Sequence, residues 1–367
     1  MISKALVVGA YHKKAEEIAK RGVDLHVVIP RRWGDREPEI RDGTGYSMHL
    51  LPCLLSGHNH FHFYLRLAQC VQSVNPDLIH IDEESYSLVT FQAMRIARQH
   101  SVPAVFFNWQ NILKKHPFPF SWFERYQFRN AIAGIAGSEE VQRVLRQKGC
   151  SLPLPVIPQF GVDPEIFTKR NEAALRQELF GGGNVQVVGY AGRLVEEKGL
   201  LALVDVLARL PDSSRLLLVG GGPLKDDIRQ RASALRLEKR IVILEHVPSM
   251  DVPRYLNCMD CLVLNSQTRK NWKEQFGRIL IEAMACEVPV VGSDSGEIPA
   301  VIGEAGIVVP ENNVELLGHA LRQLLNDPSR LSRLGMLGRE RVLEHFTQAR
   351  IAEKTVAVYR TFARSPA

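Results

Sequence analysis

The chain has 367 residues, 45% hydrophobic and 23% charged, with a mean hydropathy of −0.09. These are the values of a globular protein with a full core; they exclude disordered, collagen-like and coiled-coil architectures, and at ~150 residues per domain the length predicts two domains. The net charge of +6 is unevenly placed, since residues 1–160 hold 19 Lys/Arg against 14 Asp/Glu and nine of the twelve histidines. Such an excess suits an anionic ligand or a membrane surface. It is too modest for a nucleic-acid stripe, and no nucleic-acid-binding motif accompanies it.

The opening MISKALVVGA is too short for a signal peptide and lacks a small-residue cleavage site, so it reads as a first strand of a cytoplasmic protein. No apolar run approaches the ~18 residues of a spanning helix. From there, short β-branched runs predict strands over 4–10, 24–30, 48–53, 77–82, 103–108, 131–138 and 155–160. A polar stretch with a Gly181-Gly182-Gly183 turn follows, and a second series then begins, with strands over 185–192, 215–221, 241–245, 261–266, 289–294 and 307–310. Spacings near 3.6 residues predict intervening helices over 201–210, 224–235 and 314–325. Alternation of β and α elements implies parallel, doubly wound sheets. The fold class is therefore α/β, with two tandem Rossmann-like domains whose parallel sheets face a cleft. The first domain is placed at 1–165, the second at 166–345, and a closing helix over 346–367 is expected to return to the first. Ligands of such sheets bind at the carboxyl ends of the strands.

Several residue groups are candidates for chemistry. The strand over 185–192 runs into GRLVEEKGL, placing Arg193 and Lys198 beyond its tip, where two cations and outward-pointing helix amides suit a diphosphate. The alternative is a pair of surface charges beside Glu196 and Glu197. The next strand ends in VGGGPL, where Gly220, Gly221 and Gly222 form a tight strand-to-helix turn. No dinucleotide fingerprint follows it. In EQFGRILIEAMA, Phe276-Gly277 reads as a helix start and Glu282 lies within an apolar run, where an unpaired carboxylate costs several kcal/mol. A sugar diol or a neighbouring arginine would serve as its partner. If wholly helical, the segment would set Glu274 and Glu282 roughly 12 Å apart, comparable to the reach from a ribose past a diphosphate to a hexose.

The set GRLVEEKG, VGGGPL, an E-x7-E in EQFGRILIEAMAC, and PVVGSDSGEIPAVI resembles the family-four retaining glycosyltransferases of GT-B fold, and IPQFGVDPEIF is similar to that family's inter-domain segment. The resemblance implies a transferase that moves a sugar from a nucleoside-diphosphate donor to an acceptor hydroxyl with retention, in glycan, glycolipid or polysaccharide synthesis. It implies that Arg193 and Lys198 bind the donor diphosphate and that Glu282 holds the ribose. Glu274 would face the transferred sugar, with the amides of Phe276 and Gly277 beside it. Gly221 and the Ser295-Gly296-Glu297 loop would lie near the donor. Arg193, Lys198 and Glu274 are the expected catalytic set. No metal and no other cofactor is expected, because the two cations would stabilise the leaving group in place of a metal.

The first domain departs from the family pattern. Gly9 and the Arg21-Gly22 turn are kept, but the loop between them is shortened. The family's histidine at the end of a middle strand is replaced, Gln110 or Asn111 standing there, and His246 stands where a small residue is expected. Gly9, His12, Gln110 and Asn111 are the acceptor-side candidates, His12 being alternatively a simple helix start. A nucleotide-sugar epimerase of the same fold, or a non-catalytic nucleotide-sugar-binding subunit, is the rival reading.

Other groups carry less. Cys258 and Cys261 form a lone CxxC without a second pair, and the six cysteines read as buried, inert thiols. His58, His60 and His62 alternate, yet loop histidines explain them better than a metal site. Asp82, Glu83 and Glu84 could mimic a metal–diphosphate acid pair but fall in the acceptor domain. The stretch 118–129 interleaves aromatics with arginine, suiting a helix packed on its own sheet or one docked at a membrane interface. The partners expected are a nucleotide-sugar donor and a sugar or lipid-linked acceptor, with peripheral contact to the inner face of an anionic membrane and none with nucleic acid.

Overall fold

In a computed structural model, described over residues 1–40 and 45–364, the chain divides into two units, Met1–Gly161 with Gln348–Ala367, and Val162–Thr347. The first contains strands β1 (His26–Pro30), β2 (Ser47–Leu51), β3 (Cys53–Leu54), β4 (Phe63–Tyr64), β5 (Ile79–Ile81), β6 (Ala104–Asn108) and β7 (Ala133–Ala136). β1 and β2 pair in parallel, as do β5, β6 and β7, and Ile2 bridges Val28 of β1 to Ile81 of β5. The result is one parallel layer that winds outward in both directions from residues 1–3. β3 and β4 form a small antiparallel hairpin.

Successive residues of β6 point to opposite faces, which the core records. Phe106 packs with Ile81, Met94 and Leu145, whereas Val105 and Phe107 pack with Ile18, Val27 and Ile135. The helix Gln348–Phe362 belongs to this unit, its Ile351, Ala352, Val356 and Tyr359 joining the second cluster. Residues 365–367 of the closing helix expected from the sequence lie outside the described residues.

The predicted first strand over 4–10 is not a strand. The ladder is confined to the opening residues, where the Ile2 and Ser3 amides donate to His80 and Val28 and the Asp82 amide donates to Ile2. At Lys4 the amide is taken instead by the Glu83 carboxylate at 2.7 Å, and the chain winds into short 3-10 turns over Lys4–Val7 and Gly9–Tyr11. A side chain thus ends the ladder, which hydropathy does not register. The expected strand over 155–160 likewise reduces to one parallel bridge, Val156 to Ala136.

The second unit carries β8 (Gln186–Ala191), β9 (Ser214–Val219), β10 (Ile241–Leu244), β11 (Cys261–Leu264), β12 (Val290–Ser293) and β13 (Gly306–Val309). All pair in parallel in the order β10-β9-β8-β11-β12-β13. The chain starts at the centre, steps outward to β10, returns to β11 and steps outward to β13. The reversal between β8 and β11 is a topological switch point, where open α/β sheets bind ligands beyond their carboxyl ends.

Candidate active site

The loops beyond β8, β9, β11 and β12 converge at that switch point. The tip of β8 is held by the Tyr190 hydroxyl, which donates to the Arg193 carbonyl at 2.7 Å, and by the Leu194 amide, which donates to the Gly221 carbonyl at 2.9 Å. A short turn, Glu196–Lys198, then presents Lys198. The Gln267 amide beyond β11 reaches back to the Glu197 carbonyl at 2.8 Å, and the Ser293 hydroxyl ending β12 donates to the Ser266 carbonyl at 2.5 Å. Separated motifs are in this way fixed to one another through backbone.

Glu274 sits at the centre. It is 8% exposed, its carboxylate pairs with the Lys198 ammonium, and the Ser266 hydroxyl donates to the same oxygen at 2.6 Å. Lys198 also lies 4.8 Å from the centroid of the Trp272 ring, a cation–π distance. The Gly296 loop closes over Glu274: its φ of +55° is left-handed, and a Cβ there would fall 1.9 Å from the Glu274 carbonyl. Only glycine fits. Arg193 is placed differently. Its side chain is 73% exposed, with Glu197 3.9 Å away, leaving the guanidinium facing solvent at the strand tip.

Gly277, with φ of +76°, precedes the helix Arg278–Ala285. Glu274 therefore lies outside the helix, and the wholly helical 12 Å span from Glu274 to Glu282 does not occur. Phe276 is buried, its ring in edge contact with Phe346 at 5.7 Å. Glu282 pairs with Arg278 one turn earlier at 2.7 Å, so a neighbouring arginine balances its charge within the helix. Burial still pushes the Glu282 carboxyl above the usual range, Arg278 opposing it. Gly221 has open space on its Cβ side, while Gly220 and Gly222, its neighbours, are the crowded positions of that turn. His246 adopts φ of +57°, which explains why a small residue is the expected occupant.

In the first unit, Gly9 opens the turn Gly9–Tyr11. His12 is fully buried, its Nε2 2.8 Å from the Leu6 carbonyl, so it secures the start of helix His12–Ala19 and is not presented to an acceptor. Gln110 does follow β6, but its side-chain carbonyl accepts from Lys148 at 2.7 Å. Asn111 beside it is buried. The structure gathers Arg193, Lys198, Glu274, Phe276, Gly277 and Gly221 in one unit and the four acceptor-side candidates in the other.

The remaining groups resolve simply. Burial pushes the Cys258 and Cys286 thiols up to about 11 and about 12, and Cys261 higher still, so these sulfurs stay protonated. Among the described residues no group of three or more His, Cys, Asp or Glu is placed to hold a metal ion, and no helix is long and apolar enough to cross a membrane. Sequence reading missed Ser266, Trp272 and Arg278. Ser266, as the first hydroxyl after the apolar run CLVL, and Arg278, four residues before Glu282, carried a legible signal; Trp272 did not.

Residues 171–341 match the family described as glycosyl transferases group 1, and residues 12–166 match glycosyltransferase family 4. The chain is 33% identical over 218 residues to a GDP-mannose-dependent alpha-(1-6)-phosphatidylinositol monomannoside mannosyltransferase of Mycolicibacterium smegmatis, covering 56% of each. It is 30% identical over 259 residues to the alpha-maltose-1-phosphate synthase of the same organism, covering 65% of this chain and 66% of that one. These alignments span between about half and two thirds of each relative. The structure of Anabaena HepE in complex with UDP superposes with a TM-score of 0.76 at 20% identity, covering 98% of both chains, and shows that the fold is GT-B, with two Rossmann-like domains. With family matches over both units and the E-x7-E segment set at the switch point of its second sheet, the chain belongs to the family-four glycosyltransferases.

Proposed function

We propose that this chain transfers a sugar from a nucleoside-diphosphate donor to an acceptor hydroxyl, with retention at the anomeric carbon. The observation that carries the reading is the Lys198–Glu274–Ser266 cluster at the switch point of the second sheet, with Arg193 at the same strand tip. A diphosphate beside Lys198 and Arg193 gains one further negative charge as it leaves, and preorganised cations lower that barrier without a metal. The bond from the anomeric carbon to the diphosphate oxygen breaks, and the acceptor oxygen bonds to the same face. The acceptor proton passes to the departing phosphate oxygen, so no separate base is required. Glu274, anchored by two donors, is positioned to accept hydroxyls of the transferred sugar. Glu282 is assigned to the ribose, with Arg278 balancing its charge.

The acceptor falls to the first unit. Phe118 (81% exposed), Leu113 and Trp122 are exposed apolar residues, and the exposed Phe61 lies 5.1 Å from Phe120, which connects through Phe123 to Trp122. Lys114, Lys115 and Arg125 are exposed nearby in sequence. Apolar rings with cations suit peripheral contact with an anionic membrane face and a lipid-linked acceptor.

The test is release of nucleoside diphosphate from UDP- and GDP-sugars, with and without candidate acceptors and with and without EDTA. Acceptor-dependent release that survives EDTA supports the reading. Release of altered sugar without an acceptor identifies an epimerase, and binding without turnover identifies a binding subunit. Activity abolished by EDTA and restored by Mg²⁺ defeats the metal-free assignment.

A further inference from the structure

The first sheet has a switch point of its own. Residues 1–3 lie between β1 and β5, so the winding reverses where Lys4 and the Asp82–Glu84 run leave the sheet. A cavity of about 280 Å³ opens there, walled by Tyr11, Trp33 and Trp109. Its size is at the small end of the ~300–1,000 Å³ that ligand pockets occupy. None of Gly9, His12, Gln110 or Asn111 lines it, though their neighbours Val8, Tyr11 and Trp109 do.

The polar side of the cavity is acidic, and two of its three carboxylates are already engaged within the protein. Asp82 accepts from the Ser3 hydroxyl and from Gln159, each at 2.8 Å. Glu83 accepts from the Lys4 ammonium at 2.6 Å and the Lys4 amide at 2.7 Å, with His62 behind it at 3.6 Å. Lys4 is thereby engaged. The Glu84 carboxylate has no hydrogen-bond or ion-pair partner among the described residues. Arg36, at the exposed rim, is the other cation of the lining. Aromatic walls with one available carboxylate and a surplus of acids match a ring with apolar C–H faces and hydroxyl donors, and they oppose an added anion.

We infer that this cavity is a carbohydrate site for an uncharged pyranose, with Trp33 and Trp109 against the ring and Glu84 accepting from its hydroxyls. The inference rests on the transferase reading, for which the cavity holds the sugar end of the acceptor. A lipid-linked acceptor then carries its charge outside this cavity.

Saturation-transfer-difference NMR on the full chain tests it, using methyl α-D-mannopyranoside and methyl α-D-glucopyranoside as neutral probes and methyl β-D-glucuronide and mannose 6-phosphate as anionic ones. At least one neutral glycoside shows transfer and the anionic sugars show none. Glu84→Gln weakens the neutral probe roughly fivefold to tenfold, the difference between a charge-assisted and a neutral hydrogen bond. Trp33→Ala abolishes it. Thermal stabilisation by UDP or GDP, read on the same samples, stays at the wild-type level in both variants and reports that they fold. Absence of transfer from both neutral glycosides, an unchanged response in Glu84→Gln, or stronger transfer from an anionic sugar overturns the site. If neither nucleotide stabilises the wild type, the donor reading fails instead, and the NMR arm still decides the cavity.

Discussion

Lys198 and Glu274 are 14% and 10% exposed at their side chains, so each charge is largely withdrawn from water and depends on the other. Removing one member of a buried pair costs about 3–5 kcal/mol because the partner is left uncompensated. Ser266 still donates to the carboxylate at 2.6 Å, which places Lys198→Met at the low end, near 3 kcal/mol. At about 2–4 °C per kcal/mol for a domain of this size, the second unit's melting temperature falls by roughly 6–12 °C. Glu274→Gln behaves similarly, and the double variant, with no charge left to strand, recovers about 2–3 kcal/mol of the summed loss. Catalysis follows a different rule. A charge-assisted contact to the leaving diphosphate contributes about 1.5–3 kcal/mol, so turnover drops roughly ten- to hundredfold in Lys198→Met and is not restored in the double variant. Denaturant titration of the four proteins gives the stability cycle, and nucleoside diphosphate release gives the rates. Additivity within about 0.5 kcal/mol refutes the pairing. Near-wild-type turnover in the double variant refutes the role in transfer.

Arg193→Ala should leave stability within about 0.5 kcal/mol, its side chain being exposed and its ion pair long at 3.9 Å, while lowering turnover roughly tenfold; unchanged kinetics would remove it from the site. Gly296→Ala forces a left-handed residue and a Cβ onto the Glu274 carbonyl, so denaturation should show a loss of at least about 1–3 kcal/mol together with lost activity, and a neutral substitution contradicts the packing. Glu282 has a raised folded-state pKa, so its contribution is full below the unfolded carboxyl value near ~4.3 and is lost as pH rises through the folded value. Glu282→Gln should therefore gain stability relative to wild type as pH rises through that window, and parallel pH profiles speak against it. Co-sedimentation with anionic vesicles at low salt should exceed that with neutral vesicles and fall in Phe118→Ser/Trp122→Ser; equal, negligible binding to both removes the membrane contact.

Most of the second unit was legible because its strands are buried on both faces and read as continuous apolar runs, as in LLLV of β9 and CLVL of β11. The first strand misled because hydropathy reports burial, not hydrogen bonding. Leu6 and Val7 are buried as expected, yet they lie in a 3-10 turn because Glu83, far along the chain, captures the Lys4 amide. His12 misled for a related reason: a polar residue at a strand tip looks presented to a ligand, while its ring is buried on the Leu6 carbonyl. Glu282 was read as needing a partner, which is correct physically, but the sequence could not choose between a diol and Arg278.

The two switch points differ in how much of each a sequence displays, and the difference follows from chemistry. A diphosphate and a sugar bound at a fixed spacing require cations, a carboxylate and close backbone approach. In the proposed donor site GRLVEEKG and EQFGRILIE supply them in two compact runs that the sheet order brings together. The first unit's cavity draws on separate loops, with Lys4, Trp33, Glu84, Trp109 and Gln159 coming from five different segments. No local spacing links those positions; only the parallel winding on both sides of residues 1–3 does. The selectivity inferred for it also arises by subtraction. Ser3, Gln159 and Lys4 engage two of three consecutive acids and leave Glu84 as the one available for a ligand, a distinction that composition, motif and periodicity cannot express.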